Sequence, residues 1–365
     1  MNPYSPIRVM VVDDSAIIRG LVVKALEKDS EIEIVSTCFN GVIAIDTLRK
    51  IPADIILLDI EMPQMDGLTA LPQLLALSPS SRIIMVSTLT ARNAEASIRA
   101  MQLGASDYIT KPSSGRESND VERFYHELGL KIKSLAVRKP GKEAVKKEPE
   151  KEVVRSTAPP RAEMHYPVKY PSYPVKAVAI GCSTGGPQAL AVLFQGLAAQ
   201  AKKITQPIFI TQHMPATFTT ILAKHIEQIA GKPCHEAKEN EIVQPGVIYV
   251  APGDFHLTPE KDGDKIVLKV NQNPPVNFCR PAVDPMLEAL IRIYGNHLLS
   301  VILTGMGSDG LGGCRQAVAA GGTVIAQNEA SCVVWGMPRA VTEQNLCSAV
   351  LPLEDIAGYI IKACA

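Results

Sequence analysis

The sequence carries no excess of charge: 37 Lys and Arg residues are balanced by 37 Asp and Glu, for a formal net charge of zero. Without an overall field to attract a polyanion, general binding to nucleic acid or to an anionic membrane is not expected. Long hydrophobic runs are also missing, since no stretch of about eighteen apolar residues could span a bilayer. Residues 1–15 lack the basic start and apolar core of a secretory signal. The expectation is a soluble, cytoplasmic protein. None of the eight cysteines, at 38, 182, 234, 279, 314, 332, 347 and 364, forms a Cys-x-x-Cys pair. That excludes the usual zinc spacing and gives no disulfide framework, so the thiols read as buried groups in a reducing compartment. No internal repeat is visible.

What is present suits two α/β domains. A chain of 365 residues exceeds one ordinary domain and can bury two cores. β-Branched and aliphatic runs at Ile7–Asp14, Ile55–Leu58, Ile83–Val86 and Tyr108–Thr110 alternate with helical periodicity at Ile17–Leu26, Gly41–Leu48, Ala70–Leu77 and Ala91–Leu103. Such alternation predicts a doubly wound parallel sheet covered on both faces. An amphipathic stretch at Val121–Leu135 closes the first domain, residues 1–137.

Residues 138–173 change to Lys, Glu and Pro, with few large aliphatics. A segment of that composition buries too little apolar surface to offset its ordering entropy and reads as a flexible linker. The alternation restarts in residues 174–365, with Val175–Ile180 before Gln188–Leu197, Ile208–Thr211 before Phe218–Ile229, and Leu298–Leu303 before Leu311–Ala320 and Gly322–Ala326. This predicts a second α/β parallel-sheet domain. Between these units, Gly246–Ala251 and Lys265–Val270 flank Lys261-Asp262-Gly263-Asp264, which predicts an inserted β-ribbon.

In the first domain, Asp13, Asp14 and Asp59 fall at strand ends, where the loops of a parallel sheet form its ligand crevice. Clustered carboxylates repel unless a hard cation neutralises them, which implies Mg²⁺. Ser87, with Thr88 as a rival, offers a hydroxyl to a phosphoryl oxygen, and Lys111 offers a compact positive charge. Singly, each is weak, because a strand-end Asp more often caps a turn or helix. Together, Val12-Asp13-Asp14, Leu57-Leu58-Asp59 through Met65-Asp66-Gly67, Met85-Val86-Ser87 and Gly104-Ala105-Ser106-Asp107-Tyr108-Ile109-Thr110-Lys111-Pro112 closely resemble the response-regulator receiver family, over residues 7 to about 125. The resemblance implies a flavodoxin-like fold. It further implies Asp59 as phosphoacceptor, Asp13, Asp14 and Asp59 around Mg²⁺, and Ser87, Tyr108 and Lys111 as switch and phosphate-contacting residues.

In the second domain a strand runs into Gly181-Cys182-Ser183-Thr184-Gly185-Gly186-Pro187 and then a helix. Small residues permit a sharp turn that lifts the Ser183 hydroxyl to the sheet edge, near a positive helix N-terminus. The glycine spacing fits neither nucleotide-binding pattern. A neutral serine needs a base, and His213 follows the next strand in Gln212-His213-Met214-Pro215. Of the other six histidines only His256 is kept, as a substrate-side candidate. Asp309, in Thr304-Gly305-Met306-Gly307-Ser308-Asp309-Gly310, can orient the imidazole, and Met306 is the candidate for an oxyanion-binding N–H.

The order Ser, His, Asp differs from three familiar hydrolase orders. With Ala251-Pro252-Gly253, Cys279-Arg280-Pro281-Ala282-Val283-Asp284 and Gln327-Asn328-Glu329, these motifs closely resemble the chemotaxis-receptor methylesterases of the CheB type over nearly the whole chain. That resemblance implies hydrolysis of glutamyl γ-methyl esters on methyl-accepting chemotaxis receptors and deamidation of receptor glutamines. It implies no cofactor for the esterase step, a chemotaxis histidine kinase as phosphodonor, and action at membrane receptors without membrane insertion. A receiver-linked DNA-binding regulator is disfavoured by the strand-rich second half.

Overall fold

In the computed structural model, residues 5–111, 118–136 and 168–365 are described. Most of the expected linker lies outside the described residues.

The N-terminal unit runs β1 (Ile7–Val12), α1 (Ala16–Leu26), β2 (Ile32–Cys38), α2 (Gly41–Leu48), β3 (Ile55–Asp59), α3 (Gly67–Leu77), β4 (Arg82–Ser87), α4 (Ala91–Gln102), β5 (Asp107–Thr110) and α5 (Ser118–Leu135). Its five strands are parallel in the order β2-β1-β3-β4-β5. Every residue of β3 is buried, as a strand covered on both faces requires, and each such Ile or Leu contributes about 1.5–3 kcal/mol by leaving water. Helix starts follow local chemistry. Ser15, Asp66 and Thr90 accept hydrogen bonds from Ile18 N, Thr69 N and Asn93 N, respectively. Capping by Asp66 starts α3 three residues before the hydrophobic period at Ala70. The edge strand β2 is the element that periodicity missed, because Glu33, Ser36 and Thr37 interrupt its apolar run.

The C-terminal unit contains β6 (Ala177–Cys182), α6 (Gly186–Ala198), β7 (Ile208–Gln212), α7 (Phe218–Ala230), β8 (Cys234–Glu236), β9 (Ile248–Val250), β10 (His256–Leu257), β11 (Glu260–Asp262), β12 (Lys265–Val267) and β13 (Val270–Asn271). It continues with α8 (Val283–Tyr294), β14 (Leu298–Ile302), α9 (Leu311–Ala319), β15 (Thr323–Gln327), α10 (Met337–Glu343), β16 (Ala349–Leu351) and α11 (Leu353–Cys364). Seven parallel strands lie in the order β16-β15-β14-β6-β7-β9-β8. One face packs on α6, α7 and α11, the other on α8, α9 and α10. The ribbon is present, but its partners differ from expectation. β11 pairs antiparallel with β12 across Gly263, which adopts φ 59°, while Ile248–Val250 is wholly buried in the parallel sheet.

β6 has β7 on one side and β14 on the other, so the chain reverses its winding there. Such switch points open a crevice at the carboxyl ends of the strands. The loops after β6, β7 and β14 therefore converge.

The two units touch directly. Helix α4 of the N-terminal unit lies against α6 and α7. Thr184 Oγ1 donates to Asp107 Oδ2 at 2.9 Å, and Gln188 Nε2 donates to the Ala105 carbonyl at 2.7 Å. Tyr108 stacks on Phe218 with ring centroids 4.6 Å apart, and Gln102 contacts His225.

Candidate active site

The first crevice forms where β1 and β3 end. Asp13, Asp14 and Asp59 present carboxylate oxygens within 4.8 Å of one another, two from buried residues and one exposed. Lys111 Nζ bridges Asp13 Oδ2 at 2.7 Å and Asp59 Oδ2 at 2.8 Å. Burial pushes the Asp59 carboxyl up and the neighbouring Asp13 adds to it, against the pull of Lys111, leaving it at about 6. Three hard oxygen donors, with one carboxyl held this high by burial and a like charge, fit Mg²⁺.

The hydroxyls of Ser87 and Thr88, expected as switch candidates, find partners other than Asp59. Ser87 Oγ lies 3.2 Å from Ser97 Oγ, and Thr88 Oγ1 accepts from Asn93 Nδ2 at 2.7 Å, so both hydroxyls are tied to α4. Neither is hydrogen-bonded to Asp59. Tyr108 is turned outward into the domain interface, with Lys131 5.9 Å from its ring centroid.

The second crevice brings His213 and Asp309 together. His213 Nε2 is 2.7 Å from Asp309 Oδ2. Asp309 also accepts from Val283 N at 2.6 Å, Asp284 N at 3.2 Å, Gly310 N at 3.0 Å and Asn277 Nδ2 at 3.1 Å. It thus caps the first turn of α8, an element distant in sequence, as well as orienting the imidazole. Burial works to raise its carboxyl, but His213 and the α8 N–H groups outweigh it and hold the group below the usual carboxylate range.

Ser183 sits at the tip of the β6 strand. Its N–H donates to the Thr304 carbonyl at 3.0 Å, and its carbonyl accepts from Gly186 N at 2.7 Å. Gln212 Nε2 ties the two loops by donating to the carbonyls of Ser183, at 3.0 Å, and His213, at 3.3 Å. No hydrogen bond joins the Ser183 hydroxyl to His213 among the described residues. Instead, His213 Nδ1 faces Cys279 Sγ at 3.4 Å. Burial would lower the imidazole, but hydrogen bonds and charge from Asp309 and Cys279 hold it up at about 10. Met306 occupies the loop after β14 and packs against the receiver core with Val333.

Three residues that contact the site were given no role from the sequence. Cys279, Cys332, Cys347 and Cys364 are partly exposed, against the expectation of buried thiols. Asn277 lies just before the quoted motif that starts at Cys279, and Gln212 was quoted in the motif with His213 but given no role. His256, by contrast, is buried, with Nδ1 accepting from Ala282 N and Nε2 donating to the Pro274 carbonyl. Its contacts hold a loop and leave no nitrogen for substrate.

These features define a receiver joined to an α/β hydrolase. The CheB methylesterase family matches residues 178–360, and the response regulator receiver domain matches residues 9–120. A protein-glutamate methylesterase/protein-glutamine glutaminase of Azospirillum brasilense is 51% identical across 98% of this chain and 92% of its own length. A Paramagnetospirillum magneticum relative of the same description is 49% identical across 98% and 96%. The crystal structure of the Thermotoga maritima CheB methylesterase catalytic domain superposes with a TM-score of 0.50 and 39% identity, covering 52% of this chain and 99% of that domain. The chain belongs to the CheB methylesterase family.

Proposed function

We propose that the chain hydrolyses glutamyl γ-methyl esters on methyl-accepting chemotaxis receptors and deamidates receptor glutamines, under control of phosphorylation at Asp59. In this reading residues 1–137 are the receiver, 138–173 a linker and 174–365 the esterase. The observation that carries it is the His213–Asp309 hydrogen bond beside the Ser183 turn, at the switch point of a parallel sheet.

The mechanism follows from the two imidazole nitrogens. Nε2–H is committed to Asp309, so Nδ1 must serve Ser183, after a rotation that gives up the Cys279 contact. Ser183 Oγ attacks the ester carbonyl as His213 Nδ1 takes its proton. The oxyanion accepts from the Met306 N–H. His213 returns the proton to the departing methoxide, releasing methanol, and then draws a proton from the water that cleaves the acyl-enzyme. With a glutamine side chain the same sequence releases ammonia.

Asp13, Asp14 and Asp59 would hold Mg²⁺, which offsets charge on the phosphoryl group when bound; Lys111 contacts a phosphoryl oxygen. A histidine kinase is the proposed phosphodonor. Among the described residues no helix is long and apolar enough to cross a membrane, which suits action on the cytoplasmic part of receptors.

The domain contacts support regulation by docking. Receiver residues Ala105, Asp107 and Tyr108 hold Gln188, Thr184 and Phe218, and Thr184 directly follows Ser183. A docked receiver therefore narrows access to Ser183, and phosphorylation weakens the contact through Ser87 and Tyr108.

Methanol release from methyl-esterified receptor membranes tests this reading. The full chain, given Mg²⁺ and a small-molecule phosphodonor, should release methanol in step with loss of receptor ester. A folded protein that leaves the esters intact under these conditions would exclude it.

A further inference from the structure

Val276 and Cys279 exchange backbone hydrogen bonds, Val276 N to Cys279 O at 3.1 Å and Cys279 N to Val276 O at 2.9 Å. This closes a two-residue turn in which Asn277 has φ 51° and Phe278 φ 63°. Turns of this kind need positive φ at both central positions and favour Asn followed by Gly. Asn277 meets that demand. Phe278 does not, because a bulky side chain in the left-handed region is a steric outlier.

No packing among the described residues offsets that strain. Phe278 is 91% exposed, the most of the large apolar residues described, with Ile17 next at 75%, so its ring contributes little to the core. Strained residues of this sort persist where function requires them.

The turn is fixed to the catalytic groups from both sides. Asn277 Nδ2 donates to Asp309 Oδ1 at 3.1 Å, and Cys279 Sγ lies 3.4 Å from His213 Nδ1. Phe278 therefore stands on the rim of the crevice. The receiver packs on the loops holding Met306 and Val333 and leaves the Phe278 ring in solvent even in the docked arrangement.

We propose that Phe278 is a substrate-contacting residue that packs on an apolar side chain of the polypeptide bearing the ester, favouring protein substrate over a small ester. This inference rests on the esterase reading above. A polypeptide whose glutamyl ester reaches Ser183 must pass beside this turn, whereas a free glutamyl ester is too short to cover the ring.

The test compares two substrates in the full chain, with Mg²⁺ and phosphodonor in every assay: methyl-esterified receptor and a small N-acylated glutamate γ-methyl ester. Phe278→Ala and Phe278→Gly should lower kcat/KM for the receptor about ten-fold, equivalent to roughly 1.4 kcal/mol, and leave the small ester within about two-fold. Phe278→Trp should retain receptor turnover. Phe278→Gly removes the strain, so its thermal unfolding temperature should not fall, which keeps the comparison free of misfolding. Receptor turnover within about two-fold of wild type in both variants would overturn the proposal. Equal losses on the two substrates would overturn it as well, by showing that the turn acts only on the catalytic groups. Absence of methanol from both substrates with wild-type protein would instead bring down the esterase reading, and this inference with it.

Discussion

At the scale of single residues, the neighbours of the His213 imidazole favour its charged form. Nε2 is hydrogen-bonded to Asp309 and Nδ1 faces Cys279 Sγ, and these two neighbours outweigh burial to hold His213 at about 10 rather than 6.5. Only the fraction that has lost the Nδ1 proton can act as base, so kcat/KM should climb with pH above neutrality. Cys279→Ala removes one of the groups raising the imidazole, and should move that climb to lower pH; an unmoved profile would contradict the assigned contact. The same shift sets a stability dependence. A raised folded value stabilises the chain fully below pH 6.5, and the contribution is lost as pH rises through about 10. Chemical denaturation of wild type and His213→Gln should therefore show a stability difference that shrinks across this interval.

At the scale of elements, the loop after β14 is tightly packed at Gly305. A Cβ on Gly305 would collide with Met337 Sδ and come within 2.9 Å of Ser183 Cβ. Gly305→Ala should destabilise the fold by about 1–3 kcal/mol and lower esterase turnover by displacing Ser183; thermal unfolding and methanol release measure the two effects. Much of this architecture was legible beforehand. α2 begins and ends as its period predicts, and β6, β7 and β14 lie close to their apolar runs. Ser183, His213 and Asp309 could be singled out because each follows such a strand. β2 was not legible, since an edge strand need not be uniformly apolar. The partners of the ribbon were misread because an apolar run beside a turn looks the same whether it pairs with a hairpin or enters a parallel sheet. The Cys279 contact depends on a chain reversal 66 residues after His213, which no local pattern encodes.

At the scale of the whole molecule, the receiver binds the esterase through a few specific groups. Asp107 accepts from Thr184 and from Lys131, whose Nζ lies at 2.5 Å, and Tyr108 stacks on Phe218. An allosteric coupling of about 1–3 kcal/mol changes an equilibrium roughly 5–150-fold, so few contacts suffice. Gln188→Ala, which removes the hydrogen bond to Ala105, should raise unphosphorylated esterase activity several-fold, as should isolation of residues 174–365. A fragment less active than the unphosphorylated full chain would make the receiver an activator rather than an inhibitor. Asp59→Asn should abolish Mg²⁺-dependent labelling by a phosphodonor and hold the enzyme at its resting rate.

The central claim is that Ser183 is the nucleophile of a methylesterase. Its most direct test is methanol release from methyl-esterified receptor by Ser183→Ala protein with wild-type circular dichroism. The predicted result is a rate indistinguishable from the enzyme-free control. Turnover like that of wild type in the folded variant would contradict the account.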